Sequence, residues 1–189
     1  MKLLQRTPWI LVLTSSLLTA QTHASSWTSV PVASRLEFTT TFEGTEAPGQ
    51  FKQFNVELNL DPEQLSESFL LVMVDVTSAS FGSADIDEAI AQAEWFDAKT
   101  FPRAEFKSDR ILQSMGANYV AEGVVSIKGV DKPVNVHFHW SEAGQNANIS
   151  GELTLSRLDF GIGSGAWATD PSIAYDVQVH FEVHLAIQP

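Results

Sequence analysis

The 189-residue sequence contains no cysteine. That excludes disulfides, thiolate zinc or iron–sulfur sites, thiol nucleophiles, and the cysteine on which a bacterial lipoprotein anchor is built. Any metal would need histidine or carboxylate ligands. Positive charge is scarce, with 11 Lys and Arg against 23 Asp and Glu and a net charge of −12. Such a chain is repelled by phosphate backbones and anionic head groups, so neither nucleic acid nor a charged membrane surface is an expected partner. No apolar run approaches the roughly 20 residues that span a bilayer, so no stable membrane anchor is expected. Catalytic signatures are missing as well: there is no Gly-x-Ser-x-Gly elbow, no Gly-x-x-x-x-Gly-Lys-Ser/Thr phosphate loop and no His-Glu-x-x-His pair. The expectation is a protein that is not an enzyme and carries no cofactor.

At the amino end, Lys2 and Arg6 precede an apolar run from Trp9 to Ala20, interrupted only by Thr14, Ser15, Ser16 and Thr19. With small residues around Ala24 as a cleavage position, this is the pattern of a secretory signal peptide. Residues 1–24 are then removed, leaving one domain over 25–189, and loss of Lys2 and Arg6 takes the net charge from −12 to −14. An exported, acidic, cysteine-free chain is expected in a bacterial periplasm.

From residue 33 onward apolar and polar residues alternate, the mark of strands with one buried face. Val177, Val179, Phe181, Val183, Leu185 and Ile187 alternate with Asp176, Gln178, His180, Glu182 and His184. Val134, Val136, Phe138 and Trp140 alternate with Asn135, His137 and His139, and Leu153 and Leu155 with Glu152, Thr154 and Ser156. Leu36, Phe38 and Phe42 face away from Arg35, Glu37, Thr39 and Thr41, while Phe54, Val56, Leu58 and Leu60 oppose Asn55, Glu57 and Asn59. Turn signals separate these runs, among them Pro48-Gly49, Asp61-Pro62, Gly116-Ala117-Asn118, Gly129, Gly144 and the stretch from Gly161 to Gly165. About eight strands in an antiparallel meander predict an all-β fold that hides its edges by closing into a barrel. At that strand number the interior is either filled by side chains or holds one small ligand.

One segment breaks the rhythm. From Asp85 to Glu94, Ile86, Ala89, Ile90 and Ala93 stand at helical spacing, and Asp85 with Glu88 matches a capping box. The strand before it is apolar on both faces, Phe69, Leu71 and Met73 pointing opposite to Leu70, Val72, Val74 and Val76. Its outer side calls for cover from the helix or from a second subunit in a homodimer.

The four histidines after residue 24 fall in two sets, His137 with His139 and His180 with His184, the latter flanking Glu182. Residues two apart on a strand share a face, so each set could supply ligands to zinc or copper. Both sets lie on polar, outward faces, where a solvated histidine needs no further explanation. A metal-binding or redox accessory role is the alternative reading, and a structural partner that presents the apolar strand face is another. The shared inward face is nearly all Val, Leu, Ile and Phe, with Thr40 among the few polar exceptions. It forms either a packed core or a cavity for something apolar.

Trp27, Gly49-Gln50-Phe51, Glu94-Trp95-Phe96-Asp97, the run from Thr100 to Ser108, Gly129 to Val134, and Ser156-Arg157-Leu158-Asp159-Phe160-Gly161-Ile162 follow one another in an order that resembles the YceI-like family of periplasmic, lipocalin-like proteins. The resemblance spans nearly all of residues 27–187. It implies an extended eight-stranded antiparallel lipocalin-like barrel with one short α-helix, often in a dimer, whose apolar lumen binds a polyisoprenoid or similar amphiphilic chain without covalent chemistry. Combined with the alternation, it makes Leu36, Phe38, Phe42, Phe54, Val56, Leu58, Val72, Val74, Val136, Phe138, Leu153, Val179 and Phe181 the lumen candidates, with Arg157 and Trp167 at the mouth. The family's usual basic stretch before the Trp95-Phe96-Asp97 block is replaced here by the acidic segment from Asp85 to Glu94. The expected ligand therefore has a neutral head group, such as a quinone.

Overall fold

A computed structural model describes residues 25–187. The signal-peptide expectation for residues 1–24 lies outside the described residues. In chain order the elements are β1 (Ser25–Ser29), β2 (Arg35–Phe42), β3 (Thr45–Phe51), β4 (Phe54–Leu60), β5 (Phe69–Asp75), β6 (Ala79–Ser80), α1 (Ala84–Ile90), β7 (Arg103–Gln113), β8 (Asn118–Ile127), β9 (Val130–Ala143), β10 (Asn146–Ser156) and β11 (Asp176–Ile187).

Eight of these strands close a barrel in the order β1-β4-β5-β7-β8-β9-β10-β11, every pairing antiparallel. Short β1 is the closing stave, with Trp27 opposite Leu58 on one side and Ile187 on the other. Strand β11 is long enough to serve two partners. Its Leu185–Ile187 end pairs with β1, and Gln178–Glu182 pairs with β2. From there β2, β3 and β6 continue the sheet at one end of the barrel and lengthen its wall. Two-residue periodicity thus becomes an interior and an exterior, as the alternation predicts.

The two ends of the interior differ. Around β1, Trp27 meets Trp140 edge-on at 5.3 Å, Tyr119 stacks on Phe138 at 5.6 Å, and Leu58, Ile111 and Leu185 are fully buried. Side chains fill that end. Toward α1 the interior is hollow, although aromatic side chains such as Phe38, Phe51 and Phe96 stand in its wall. The packed core and the cavity, alternatives on sequence grounds, occupy opposite halves of one barrel.

Several local expectations need correction. Pro48-Gly49 is not a turn but lies inside β3, where Pro48 sits opposite Thr39. The turn falls earlier, at Glu43-Gly44, both with positive φ. β6 pairs only with Gln50 and Phe51, so the Pro48 edge carries no ladder that a missing N–H could break. Gly49 faces Phe38, and a Cβ there would overlap the Phe38 ring. The capping box does not form: α1 runs from Ala84 to Ile90 after Ser83, which makes no side-chain cap. The Asp87 carboxylate instead accepts hydrogen bonds from the Ser80 hydroxyl and the Phe81 N–H, both at 2.7 Å. Nor does α1 cover the outer side of β5; it packs on β6 at the hollow end. Leu71 and Met73 are half-buried in cross-strand rows between Glu57 and Lys107 and between Asn55 and Glu105, leaving Phe69 at 40% exposure.

Candidate functional site

The hollow end contains two chambers. The smaller, about 150 Å³, lies inside the barrel, lined from β4, β5 and β7 through β11, and is walled by Phe54, Val56, Val72, Val74, Val136 and Phe181, among others. The larger, about 460 Å³, lies under α1 and the segment following β10, with Phe38, Phe42, Ile86, Ile90, Phe160 and Ile173 in its wall. That volume falls in the range of small-molecule sites, roughly 300–1,000 Å³. Phe51, Phe96, Ile127, Leu155 and Val179 belong to both chambers and form a shared waist. Phe42 and Ile86, 47% and 48% exposed, line the larger chamber and mark where it reaches the surface.

Of the thirteen lumen candidates, eleven line a chamber. Leu36, Phe54, Val56, Val72, Val74, Val136, Leu153 and Phe181 line the smaller, Phe38 and Phe42 the larger, and Val179 both. Leu58 and Phe138 point inward as expected but belong to the filled end, the first fully buried and the second stacked on Tyr119. Alternation identifies the face of a strand, not the height along the barrel at which packing gives way to space. Leu155 of the waist and the neighbouring Val177 lie on readable alternations but are not among the candidates, and Phe51 is missed because Pro48-Gly49 before it reads as a turn. Trp95 and Phe96 reach the larger chamber from the turn after α1, where no periodicity points inward.

Arg157 is the least expected part of the site. It is 3% exposed, with no carboxylate ion pair among the described residues, so it stands neither at the opening nor on a surface salt bridge. Nε donates to the Ala174 carbonyl at 3.0 Å, Nη1 to Ile162 and Gly163 at 3.0 and 3.2 Å, and Nη2 to Trp167 and Ile173 at 2.8 and 3.4 Å. All five N–H groups of the guanidinium fork are thereby taken. Its carbon lies 5.9 Å from the Trp95 ring centre and 5.4 Å from that of Tyr175. Burial pulls its pKa below the ordinary guanidinium value, with the nearby Tyr175 and Asp170 opposing that shift, and the group stays charged. Gly163 has φ +72°, and a Cβ there would overlap Nη1, so glycine is what lets the loop close on the guanidinium. Arg157 is therefore a strap for the chain from Ile162 to Ala174 that roofs the larger chamber.

Trp167 is half-buried in the same roof and donates its indole N–H to Glu94 at 3.1 Å. Ser164 N–H donates to the Glu94 carbonyl at 2.7 Å, and Lys128 Nζ bridges the carbonyls of Ala93 and Gly161 at 2.8 and 2.9 Å. These bonds tie the turn after α1 to the loop, so two separately encoded segments form one lid. The four histidines are not brought together. His137, His139 and His180 stand exposed on the outside, His139 near Asn118 and His184 4.0 Å from Glu182. Among the described residues no group of three His, Asp or Glu is placed to hold a metal.

A closed antiparallel barrel with one apolar, lidded end is thus established, and the sequence profile of the YceI-like domain matches residues 27–185 of the chain. The chain belongs to the YceI-like family. A UPF0312 protein of Vibrio cholerae is 28% identical over 140 residues, covering 71% of this chain and 72% of its own length. One from Pseudomonas putida is 30% identical over 139 residues, covering 69% and 71%. Among solved structures, BcnA of Burkholderia cenocepacia superimposes with a TM-score of 0.79 at 28% identity, over 82% of this chain and 98% of that one. A polyisoprenoid-binding domain from Saccharophagus degradans, implicated in plant cell wall breakdown, gives 0.70 at 13% identity, over 88% and 100%, a likeness of fold. Within this YceI-like barrel, two of the motifs that carry the resemblance form the lid and its strap: Trp95 and Phe96 supply chamber wall, and the run from Ser156 to Ile162 supplies Arg157 and its loop.

Proposed function

We propose that this protein binds and carries a long apolar lipid of the polyisoprenoid or isoprenoid-quinone type inside the barrel, in the periplasm after export, and performs no covalent chemistry on it. The observation that carries this reading is the pair of apolar chambers joined at a waist, a shape suited to an extended chain. Each CH₂ moved from water into such a wall is worth about 0.8 kcal/mol, so a prenyl chain can be retained with few directional contacts. The Saccharophagus relative, a polyisoprenoid-binding domain of the same fold, supports the same ligand class.

A neutral head group follows from the charges. Arg157 is the cation among the larger chamber's wall residues and has no N–H left to donate, while Asp85 and the neighbouring Asp87, Glu88 and Glu94 make the lid acidic. A pyrophosphate would meet repulsion and no free donor fork. Periplasmic location is supported by the pattern of residues 1–24 and by the family resemblance. Self-association across Phe69 is a separate element of the proposal, checked by sedimentation equilibrium, where a monomer at all concentrations would remove it.

The test is organic extraction of the purified protein followed by mass spectrometry. A prenyl chain with a neutral head is expected. A predominance of prenyl pyrophosphates would overturn the head-group preference, and an apolar extract without any prenyl lipid would overturn the ligand class.

A further inference from the structure

The smaller chamber stops at one level on strand after strand. On β4 Val56 lines it, while Leu58, the next residue on the same face, is buried and belongs to neither chamber. The same step separates Val136 from Phe138 on β9 and Val183 from Leu185 on β11. Behind that level Leu58 lies opposite Trp27 and Phe138 is stacked on Tyr119. The lumen is therefore a tube with a mouth at Phe42 and Ile86 and a floor at Leu58, Phe138 and Leu185. In a tube open at both ends an over-long chain runs out of the far side. In one with a floor the excess stays at the mouth.

The volumes say how much chain fits. An apolar protein cavity of about 150 Å³ takes about one benzene-sized guest, and a prenyl unit is of that size. The smaller chamber, about 150 Å³, has room for about one unit and the larger, about 460 Å³, for about three. The tail tip belongs in the smaller chamber, where every wall residue is apolar except Glu105, which is exposed on the other face of β7. Asp85, Ser156 and Arg157 stand in the wall of the larger one.

We infer that Leu58 and Phe138 are the floor of a length gauge: the tail tip rests on them, about four prenyl units are enclosed, and chain beyond that is left at the mouth. The inference rests on the lipid-binding reading and narrows its ligand class to short prenyl chains. Enclosed units add affinity in proportion to the apolar surface they remove from water, and units outside add none.

The experiment offers lipid-free wild type, Val136→Phe and Phe138→Ala an equimolar mixture of linear polyprenols of two to eight units in mild detergent. The bound fraction is extracted and each length is quantified by mass spectrometry against the input. Wild type is expected to enrich chains of about four units and to hold six-unit chains about tenfold less or lower, because each methylene drawn from detergent into water costs about fourfold. Val136→Phe adds a ring to the wall of the smaller chamber and should move the preferred length about one unit shorter, whereas Phe138→Ala removes a ring from the floor and should move it about one unit longer. Circular dichroism checks that each variant folds, and where one does not, the other decides. Enrichment that ignores length, or keeps rising to eight units, overturns the gauge while leaving lipid binding intact. A preferred length unmoved in the folded variants overturns the floor at Phe138. If wild type retains no polyprenol of any length, the lipid-binding reading falls and the inference falls with it.

Discussion

Replacing Arg157 with alanine removes the donor to five carbonyls, those of Ile162, Gly163, Trp167, Ile173 and Ala174, at 2.8 to 3.4 Å. Hydrogen bonds from a charged group are worth about 1.5–3 kcal/mol each, but they are not additive, and the buried charge recovers hydration on unfolding. Removing one side of a buried charged network costs about 3–5 kcal/mol, which for a chain of this size lowers the melting temperature by about 6–20 °C. Scanning calorimetry of the lipid-free protein reads this directly. The lysine variant keeps the charge but not the planar fork, so it recovers only part of the loss. Methionine is the sharper control: an apolar replacement often matches a buried ion pair, but here it would strand carbonyls that have no other donor. If Arg157→Met melts within about 2 °C of wild type, less than 1 kcal/mol is at stake and the strap is not what holds the roof.

Two further predictions separate the filled end of the barrel from the hollow one. Ile111, 1% exposed in the filled end, should cost about 2–5 kcal/mol as alanine, with lipid affinity of the folded fraction unchanged. At the hollow end the anchor of α1 is acid-sensitive. Hydrogen bonds from Ser80 and then Phe81 hold the Asp87 pKa below the ordinary aspartate value. Its folded-state pKa is depressed, so its stabilising contribution is complete above the unfolded value and is lost as pH falls through the folded one. The rate of lipid release should therefore be flat from about pH 5 to 8 and rise only below about pH 4. Stopped-flow transfer to vesicles measures it, and a midpoint near pH 6 would contradict the assignment. In Asp87→Asn the release should be fast throughout that range.

Much of the barrel was legible because burial on one face of a strand writes itself into the sequence with period two. Strand β11 shows this well: its odd residues from Val177 to Leu185 point inward along the whole length, past the point where it changes partners from β2 to β1. The inward face of the site was legible for the same reason. Depth was not. Leu58 and Val56 are read alike from sequence, yet one is packed against the filled end and the other faces space, because that depends on Trp27 and Trp140 arriving from distant strands. The lid was also hidden. Its contacts join Glu94 to Ser164 and Trp167 across 70 or more residues, through loops with no period. Pro48-Gly49 misled because a proline on an unpaired strand edge looks like a turn until the edge is known. Arg157 misled because a charged residue is ordinarily at the surface, and nothing local announces five backbone carbonyls converging on it.

The central claim is that the chambers hold the lipid chain, and Val179, which both share, tests it most directly. Val179→Phe places a ring in the waist, a small-to-large change that should cost about 1–3 kcal/mol. Lipid-free wild type titrated with menatetrenone, whose prenyl tail is long enough to pass the waist, should saturate at one molecule per chain, and folded Val179→Phe should show no saturable binding. Equal stoichiometry and affinity in the two proteins would place the lipid somewhere other than the lumen.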